Sequence, residues 1–197
     1  MTQLQLVSRL IESIAEEIVP LTRKGVSCGN KVFGAAILNK RDLSLVLAGT
    51  NNEQENPLWH GEVHTLKLFY EMPADKRPAT KDCIFVTSHE PCSLCLSAIT
   101  WSGFDNFYYL FGYTETAETF NIPHDLKILQ EVFGIEGGNY RRENSFWSSH
   151  SIVNMVEALG SEERTLFRKK LKVLAVEYDQ LSDSYQNSKD GSDIPLA

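Results

Sequence analysis

The sequence predicts an α/β protein in which helices cover both faces of a central mixed sheet of about five strands. Three observations predict it: the chain opens with a helical pattern, two short apolar runs follow, and helices and strands then alternate to about residue 113. Strands that alternate with helices pair in parallel, so the second half of the sheet should be parallel. In such folds ligands bind at the ends of the strands. The chain has 197 residues and is 42% hydrophobic, which is enough to bury a sizeable core.

Two helices and a hairpin are predicted in the first part of the chain. Residues 31–39 and 43–51 are apolar runs with a polar connection, which indicates two adjacent strands. No helix breaker interrupts residues 60–72, so a helix is expected there. The first helix, residues 3–19, should end at Pro20. Its apolar residues recur at helical spacing: Leu4, Val7, Leu10, Ile11, Ile14 and Ile18.

The next elements are a buried strand at residues 83–88, a helix at about 92–102 and a strand at 104–113. Pro91 suits the first turn of that helix, because the N–H that proline lacks has no partner there. A pair of cysteines therefore opens this helix, directly after a strand.

The chain beyond residue 117 has weaker patterns. A helix is expected after Pro123, residues 134–150 resemble a loop, and a long amphipathic helix begins near Ser161 and ends in a polar tail that should fray. We therefore divide the chain into a domain of residues 1–160 and a C-terminal helix with its tail, residues 161–197.

Charge and composition argue against several classes of partner. The formal net charge is −7 and the basic residues are scattered, which disfavours nucleic acid and anionic membranes and favours a small neutral ligand. No run of about 18 apolar residues predicts a membrane span, and the first helix carries charged residues unlike a signal peptide. We expect a cytoplasmic protein whose four cysteines are reduced.

Cys92 and Cys95 lie one helical turn apart at a predicted helix N-terminus, where backbone N–H groups favour thiolates. Two thiolates can bind one Zn²⁺, but a tetrahedral site needs further ligands. A thioredoxin-like redox pair and two inert core cysteines are the alternatives. The stretch HGEVH upstream favours metal, because it adds an imidazole and a carboxylate.

His60 as the third ligand would leave the fourth position to water, which is typical of a catalytic zinc site. Glu62 could then transfer protons without binding the metal, since bound zinc can lower the pKa of water to about 7. His64 competes as a ligand, because it shares a helix face with His60 and would close the site as a structural zinc module. A metalloprotease HExxH motif is excluded, because Gly61 stands where its glutamate would be.

His60, Gly61 and Glu62, followed by the PCSLC run that contains Cys92 and Cys95, match the HxE and PCxxC signature of zinc deaminases. The chain resembles the cytidine deaminase-like superfamily over about residues 30–120. This resemblance implies a three-layer α/β/α fold, zinc as cofactor, and hydrolytic release of ammonia from a nucleobase or nucleoside.

Within the superfamily the sequence is most similar to bacterial guanine deaminases and related nucleobase deaminases. The similarity rests on the VFGA segment, the GTN segment and the run TSHEPCSLCLSAITW. It implies that Phe33 stacks on the base, that Asn51 forms a hydrogen bond with the edge of the base, and that Trp101 forms part of the pocket wall. It also implies purine metabolism and a homodimer. Each of these three residues could instead be ordinary core or turn structure.

The acidic segment that guanine deaminases carry after the fourth strand is missing. Asn121 and Ile122 occupy the positions of its acids, and Asp125 is the nearest carboxylate. The base or nucleoside therefore stays open, and a tRNA adenosine deaminase is a further alternative, disfavoured by the scattered basic residues. Residues 134–160 could form a lid or contact a partner.

Overall fold

A computed structural model describes residues 2–189 and 193–196 of the chain. Its centre is a five-stranded sheet with the strand order β2-β1-β3-β4-β5. The strands are β1 (Gly34–Asn39), β2 (Leu45–Thr50), β3 (Cys83–His89), β4 (Asn106–Phe111) and β5 (Ser148–Ser151). The first strand pairs antiparallel with β2 and β3, whereas β3, β4 and β5 are parallel. The predicted mixed sheet of about five strands and the predicted hairpin are therefore confirmed.

The fifth strand lies in a segment whose sequence resembles a loop. Its residues, SSHS, show no apolar alternation, so propensity alone does not indicate a strand. Pairing with β4, from Asn106 opposite Ser148 to Tyr109 opposite Ser151, holds it in the sheet. Tertiary pairing therefore decides this element.

The helices in the described part of the chain are α1 (Gln3–Glu12), α2 (Val19–Ser27), α3 (Gly61–Glu71), α4 (Ser93–Trp101), α5 (Tyr113–Glu118), α6 (His124–Phe133), α7 (Ile152–Glu157) and α8 (Ser161–Ser188). Within residues 2–189 and 193–196, no helix is both long enough and apolar enough to cross a membrane.

The expected end of the first helix at Pro20 is wrong, because helical structure continues to Ser27. A π-helical segment, Ser13–Ile18, connects α1 to α2, and Pro20 lies in the first turn of α2. The N–H of Val19 bonds the carbonyl oxygen of Ile14 five residues back, so the hydrogen-bond register changes directly before the residue that lacks an N–H.

Side chains of the sheet alternate between two apolar layers. In β1, Ala36 and Leu38 face the layer formed with α1, α2, α7 and α8, whereas Ala35 and Ile37 face the layer under α3 and α4. Both faces of the sheet are therefore covered, and strands with two buried faces read as continuous apolar runs. The three-layer α/β/α arrangement is the one that the sequence predicted.

The long helix α8 packs its apolar face into the first of these layers. Its fully buried side chains include Tyr178 and Tyr185, among the largest of the core. The division of the chain at residue 160 stays a prediction. Within the tail, Ile194 is only 6% exposed, whereas Asp193, Pro195 and Leu196 are exposed. The expectation of a frayed polar tail is therefore wrong for Ile194.

The first turn of α3 lies against the backbone of β1. A Cβ atom at Gly61 would lie 2.7 Å from the nitrogen and 2.8 Å from the Cα of Gly34, and 2.8 Å from the carbonyl carbon of Phe33. Real Cβ atoms do not approach backbone so closely, so only glycine fits between His60 and Glu62. The helix start is therefore held directly against the sheet.

Replacing Gly61 with Ala should destabilise the protein by about 1–3 kcal/mol, because the added methyl group meets backbone and must displace α3. Thermal unfolding of G61A and wild type measures this cost. The matched control is Gly160→Ala, whose Cβ would meet only the flexible end of Glu163. Equal stability of G61A and G160A would contradict the proposed close contact.

Candidate metal centre and active site

The three predicted metal ligands converge at the N-termini of two helices. His60 is the N-cap of α3, Cys92 is the N-cap of α4, and Cys95 lies in the first turn of α4. The His60 Nδ1 atom lies 3.5 Å from the Cys92 Sγ and 3.8 Å from the Cys95 Sγ, and the two sulfur atoms are 3.6 Å apart. Among the residues that the structure describes, these three form the one group able to hold a metal ion.

This donor set fits zinc. Tetrahedral coordination with Zn–S bonds of about 2.3 Å and Zn–N bonds of about 2.0–2.1 Å requires ligand atoms about 3.5–3.8 Å apart. The three observed separations fall within that range. One nitrogen and two thiolates also leave one of four positions for another ligand, which is the composition of a catalytic zinc site.

The two cysteines differ in their readiness to ionise. A hydrogen bond from Cys95 holds the pKa of Cys92 well below its usual value, and contact with His60 acts in the same direction. Burial raises the pKa of Cys95 well above its usual value. For His60, burial acts against protonation, but the hydrogen bond and negative charge of Cys92 dominate and raise its pKa to about 9.

Glu62 lies beside the metal ligands. Its side chain is buried, and its Oε2 atom lies 3.3 Å from the Cys95 Sγ. Burial and the negative charge of Cys92 raise the pKa of Glu62 to about 7. A carboxyl group with such a pKa both accepts and donates protons near neutral pH, as general acid–base catalysis requires.

His64 lies outside the metal-binding group. Its Nδ1 atom bonds the carbonyl oxygen of Thr50 at 2.7 Å, and its ring stacks on Trp59. Its ligand atoms are not among those that lie within 4.8 Å of one another in that group. The alternative of a structural zinc module closed by His64 is therefore wrong for this structure.

A cavity of about 280 Å³ lies beside the metal-binding group and is lined by two of its residues, His60 and Cys92. Phe33 also lines it, and Asp125 of α6 adds a carboxylate. Much of the remaining wall is apolar and includes Leu58, Leu94, Ile122, Ile128, Pro195 and Leu196. Burial and the charge of Cys92 raise the pKa of Asp125 well above its usual value. Pro195 and Leu196 thus help to enclose a space suited to a small ligand.

The other predicted substrate contacts have different locations. The backbone N–H of Asn51 donates to the carbonyl of Phe33, so Asn51 lies next to the cavity wall and is fully buried. Trp101 does not reach the cavity, because it is 90% exposed at the C-terminal end of α4. Six helical residues place it about 9 Å along the axis from Cys95. The structure therefore does not support Trp101 as a wall of the pocket.

Three buried residues of the site were not found from sequence. Glu53 contacts Asn51 and lies 3.9 Å from the Nε2 atom of His60. His89 lines the inner end of the site beside Phe33, and burial lowers its pKa to about 3. In the sequence, Glu53 stands out only because it directly follows Asn51 and Asn52. His89 stands out only as a polar residue at the end of an apolar strand.

Glu90, the third of these residues, joins the segment after α6 to the cysteine helix. It accepts hydrogen bonds from Arg142 at 2.7 Å and from the hydroxyl of Tyr140 at 2.8 Å. The backbone N–H of Tyr113 donates to it at 3.3 Å. Tyr140 and Arg142 lie in residues 134–160, the region whose role the sequence did not determine. Because Glu90 precedes Pro91 and Cys92, these two contacts hold the start of α4 in place.

A family model described as the cytidine and deoxycytidylate deaminase zinc-binding region matches residues 9–111, which is more than half of the chain. The chain belongs to this family. It is therefore a hydrolytic deaminase with zinc as its cofactor, as the signature predicted.

The relatives are named for different bases, among them guanine and cytosine. Guanine deaminase of Bacillus subtilis (strain 168) is 32% identical over 110 residues, which are 54% of this chain and 68% of that protein. A solved structure of guanine deaminase from Bacillus subtilis is 25% identical, with a TM-score of 0.48, and the match covers 80% of this chain and 91% of that one. For guanine deaminase from Nitrosomonas europaea the identity is 22%, the TM-score 0.48 and the coverage 79% and 81%.

Zinc binding should depend steeply on pH. Near pH 7 the metal-free protein carries a proton on His60 and one on Cys95, and both must leave when zinc binds. The apparent affinity should therefore rise about a hundredfold for each pH unit and fall correspondingly as the pH decreases. Above pH 9 the dependence should weaken, because His60 is then already neutral.

Zinc titration with a pH indicator in weak buffer measures the released protons. Release of one proton or fewer at pH 7 would contradict the assignment of a protonated His60.

Proposed function

We propose that this deaminase acts on a free aminated nucleobase, with a guanine-type purine as the first candidate. The observation that carries the proposal is the triangle of His60, Cys92 and Cys95 with Glu62 in contact, beside a small cavity that His60 and Cys92 line. The reaction replaces an exocyclic amino group by oxygen from water and releases ammonia.

Zinc bound at the three ligands supplies a Lewis acid that makes water nucleophilic near neutral pH. Glu62 moves the protons that this reaction requires: it accepts one from water, passes it to the ring nitrogen, and delivers the next to the departing ammonia. Its pKa of about 7 suits both directions of transfer. Burial of the carboxyl group excludes bulk water as a competing acid or base.

The substrate class is supported by the cavity and by the named relatives. Phe33 offers an aromatic surface for a planar ring, and the volume of about 280 Å³ suits a single base. Asp125 adds an acceptor for a ring N–H, which partly replaces the acidic segment that guanine deaminases carry elsewhere. The relative with 32% identity is named guanine deaminase. Cytoplasmic location, purine metabolism and a homodimer stay predictions.

Ammonia release from a panel of guanine, other aminated purines, triazines, cytosine and nucleosides tests this proposal directly. We expect guanine or a close analogue to react fastest. If only nucleosides react, the free-base assignment is wrong, and if no member of the panel reacts, a tRNA anticodon stem becomes the next substrate to test.

Glu62→Gln should lower kcat at least about a hundredfold, because the amide keeps the size of the side chain but cannot carry the proton. Zinc content should stay at the wild-type level, since Glu62 is outside the ligand group. Metal analysis and ammonia release measure both quantities. The control is Glu71→Gln, an exposed residue of the same helix that pairs with Lys67. Wild-type turnover in E62Q would exclude Glu62 as the proton carrier.

Asp125→Asn should raise KM for the preferred base about 2- to 10-fold, because a hydrogen bond between the side chain and the base contributes about 0.5–1.5 kcal/mol. Zinc content should not change. Glu131→Gln on the exposed side of α6 is the matched control. An unchanged KM in D125N would show that this carboxylate does not contact the substrate.

A further inference from the structure

Glu53 is a buried carboxylate surrounded by hydrogen-bond donors. Its side chain is 0% exposed, and its Oε1 atom accepts from the Nζ of Lys31 at 3.0 Å. Its Oε2 atom accepts from the backbone N–H of Lys31 at 3.2 Å and from the Nδ2 of Asn51 at 2.7 Å. The Lys31 side chain is also buried, at 7% exposure, so the pair is screened from water.

The carboxylate determines how the amide of Asn51 is oriented. An ionised carboxylate can only accept, so Asn51 must present its NH₂ group to Glu53 and its Oδ1 atom elsewhere. That Oδ1 atom is buried and has no hydrogen-bond partner among the residues that the structure describes. A buried acceptor without a donor is unfavourable, so it is satisfied when a ligand N–H or O–H, or a water molecule, reaches it.

The same carboxylate faces the far side of the His60 ring. The Glu53 Oε1 atom lies 3.9 Å from the Nε2 of His60, while the Nδ1 of that ring faces the two cysteine sulfur atoms. Carboxylates behind a ligating histidine favour the tautomer with a proton on the outer nitrogen and increase the basicity of the inner one. Glu53 is therefore placed to orient the imidazole toward the metal.

We propose that Glu53, with Lys31 as its counter-ion, is a positioning residue that orients His60 toward the metal and Asn51 toward the substrate. The second part rests on the proposed function. It implies a substrate that brings an N–H or O–H donor to Asn51, as a purine with an unsubstituted ring N–H does.

Glu53→Gln tests the proposal, because either orientation of the new amide brings its NH₂ group against a donor of Lys31 or Asn51. We expect E53Q to bind zinc about 10- to 100-fold more weakly than wild type in competition with a chelator. We also expect KM for the reactive base to rise. Co²⁺-substituted protein should show altered thiolate-to-metal absorption, because the imidazole is no longer held in one orientation.

The chain offers a matched control two residues further on. Glu55 accepts a hydrogen bond of 2.7 Å from Asn52, the neighbour of Asn51, but does so at the protein surface. E55Q should therefore keep the zinc affinity, the Co²⁺ spectrum and the KM of wild type. Glu53→Asp keeps the charge with a shorter reach and should lie between wild type and E53Q, and it carries the test if E53Q does not fold.

Wild-type zinc affinity and an unchanged Co²⁺ spectrum in E53Q, or in E53D if E53Q does not fold, would overturn the orientation of His60 by Glu53. Wild-type KM in the variant that folds would overturn the orientation of Asn51. The zinc and Co²⁺ measurements need no turnover, so they remain decisive if the protein deaminates none of the tested bases and the proposed substrate class fails.

Discussion

The contact between the first turn of α3 and the backbone of β1 is the constraint on which the site depends. Gly61 has no room for a side chain because the backbone of Phe33 and Gly34 lies against it. His60 and Glu62 flank this glycine, so both are carried to the end of the sheet by the same contact. Gly34 is restricted in turn, since a Cβ there would lie 2.5 Å from the Ile18 side chain. Two glycines thus set the position of one metal ligand and the carboxyl group beside it.

Burial gives the groups at this position their chemical properties. The N-terminal turn of α4 and neighbouring donors favour the Cys92 thiolate, and that negative charge then raises the pKa of His60 and of Glu62. In water such effects would be screened, whereas in a site of low dielectric they extend over several groups. The chemistry of each residue is therefore a property of the cluster.

Two ion pairs brace the site: one is buried, and the other joins a buried carboxylate to a partly exposed arginine. Lys31 and Glu53 lie behind His60, and Arg142 with Glu90 lies behind Cys92. A buried pair of this kind is weak evidence for added stability, because its desolvation cost offsets much of its attraction. Its directional hydrogen bonds do restrict orientation, however, and a site that must present three ligand atoms within 3.8 Å of one another depends on orientation.

The sequence by itself determined the fold class, the order of most elements and the residues that form the metal centre. These features depend on local patterns: periodicity follows from helix and strand geometry, and CxxC at a helix start places two sulfur atoms within one turn. Only the tertiary structure decided the edge strand β5, the exclusion of His64, the exposure of Trp101 and the roles open to Glu53 and Glu90. Each depends on what a distant segment places beside the residue, and such contacts leave no periodic signal in the sequence.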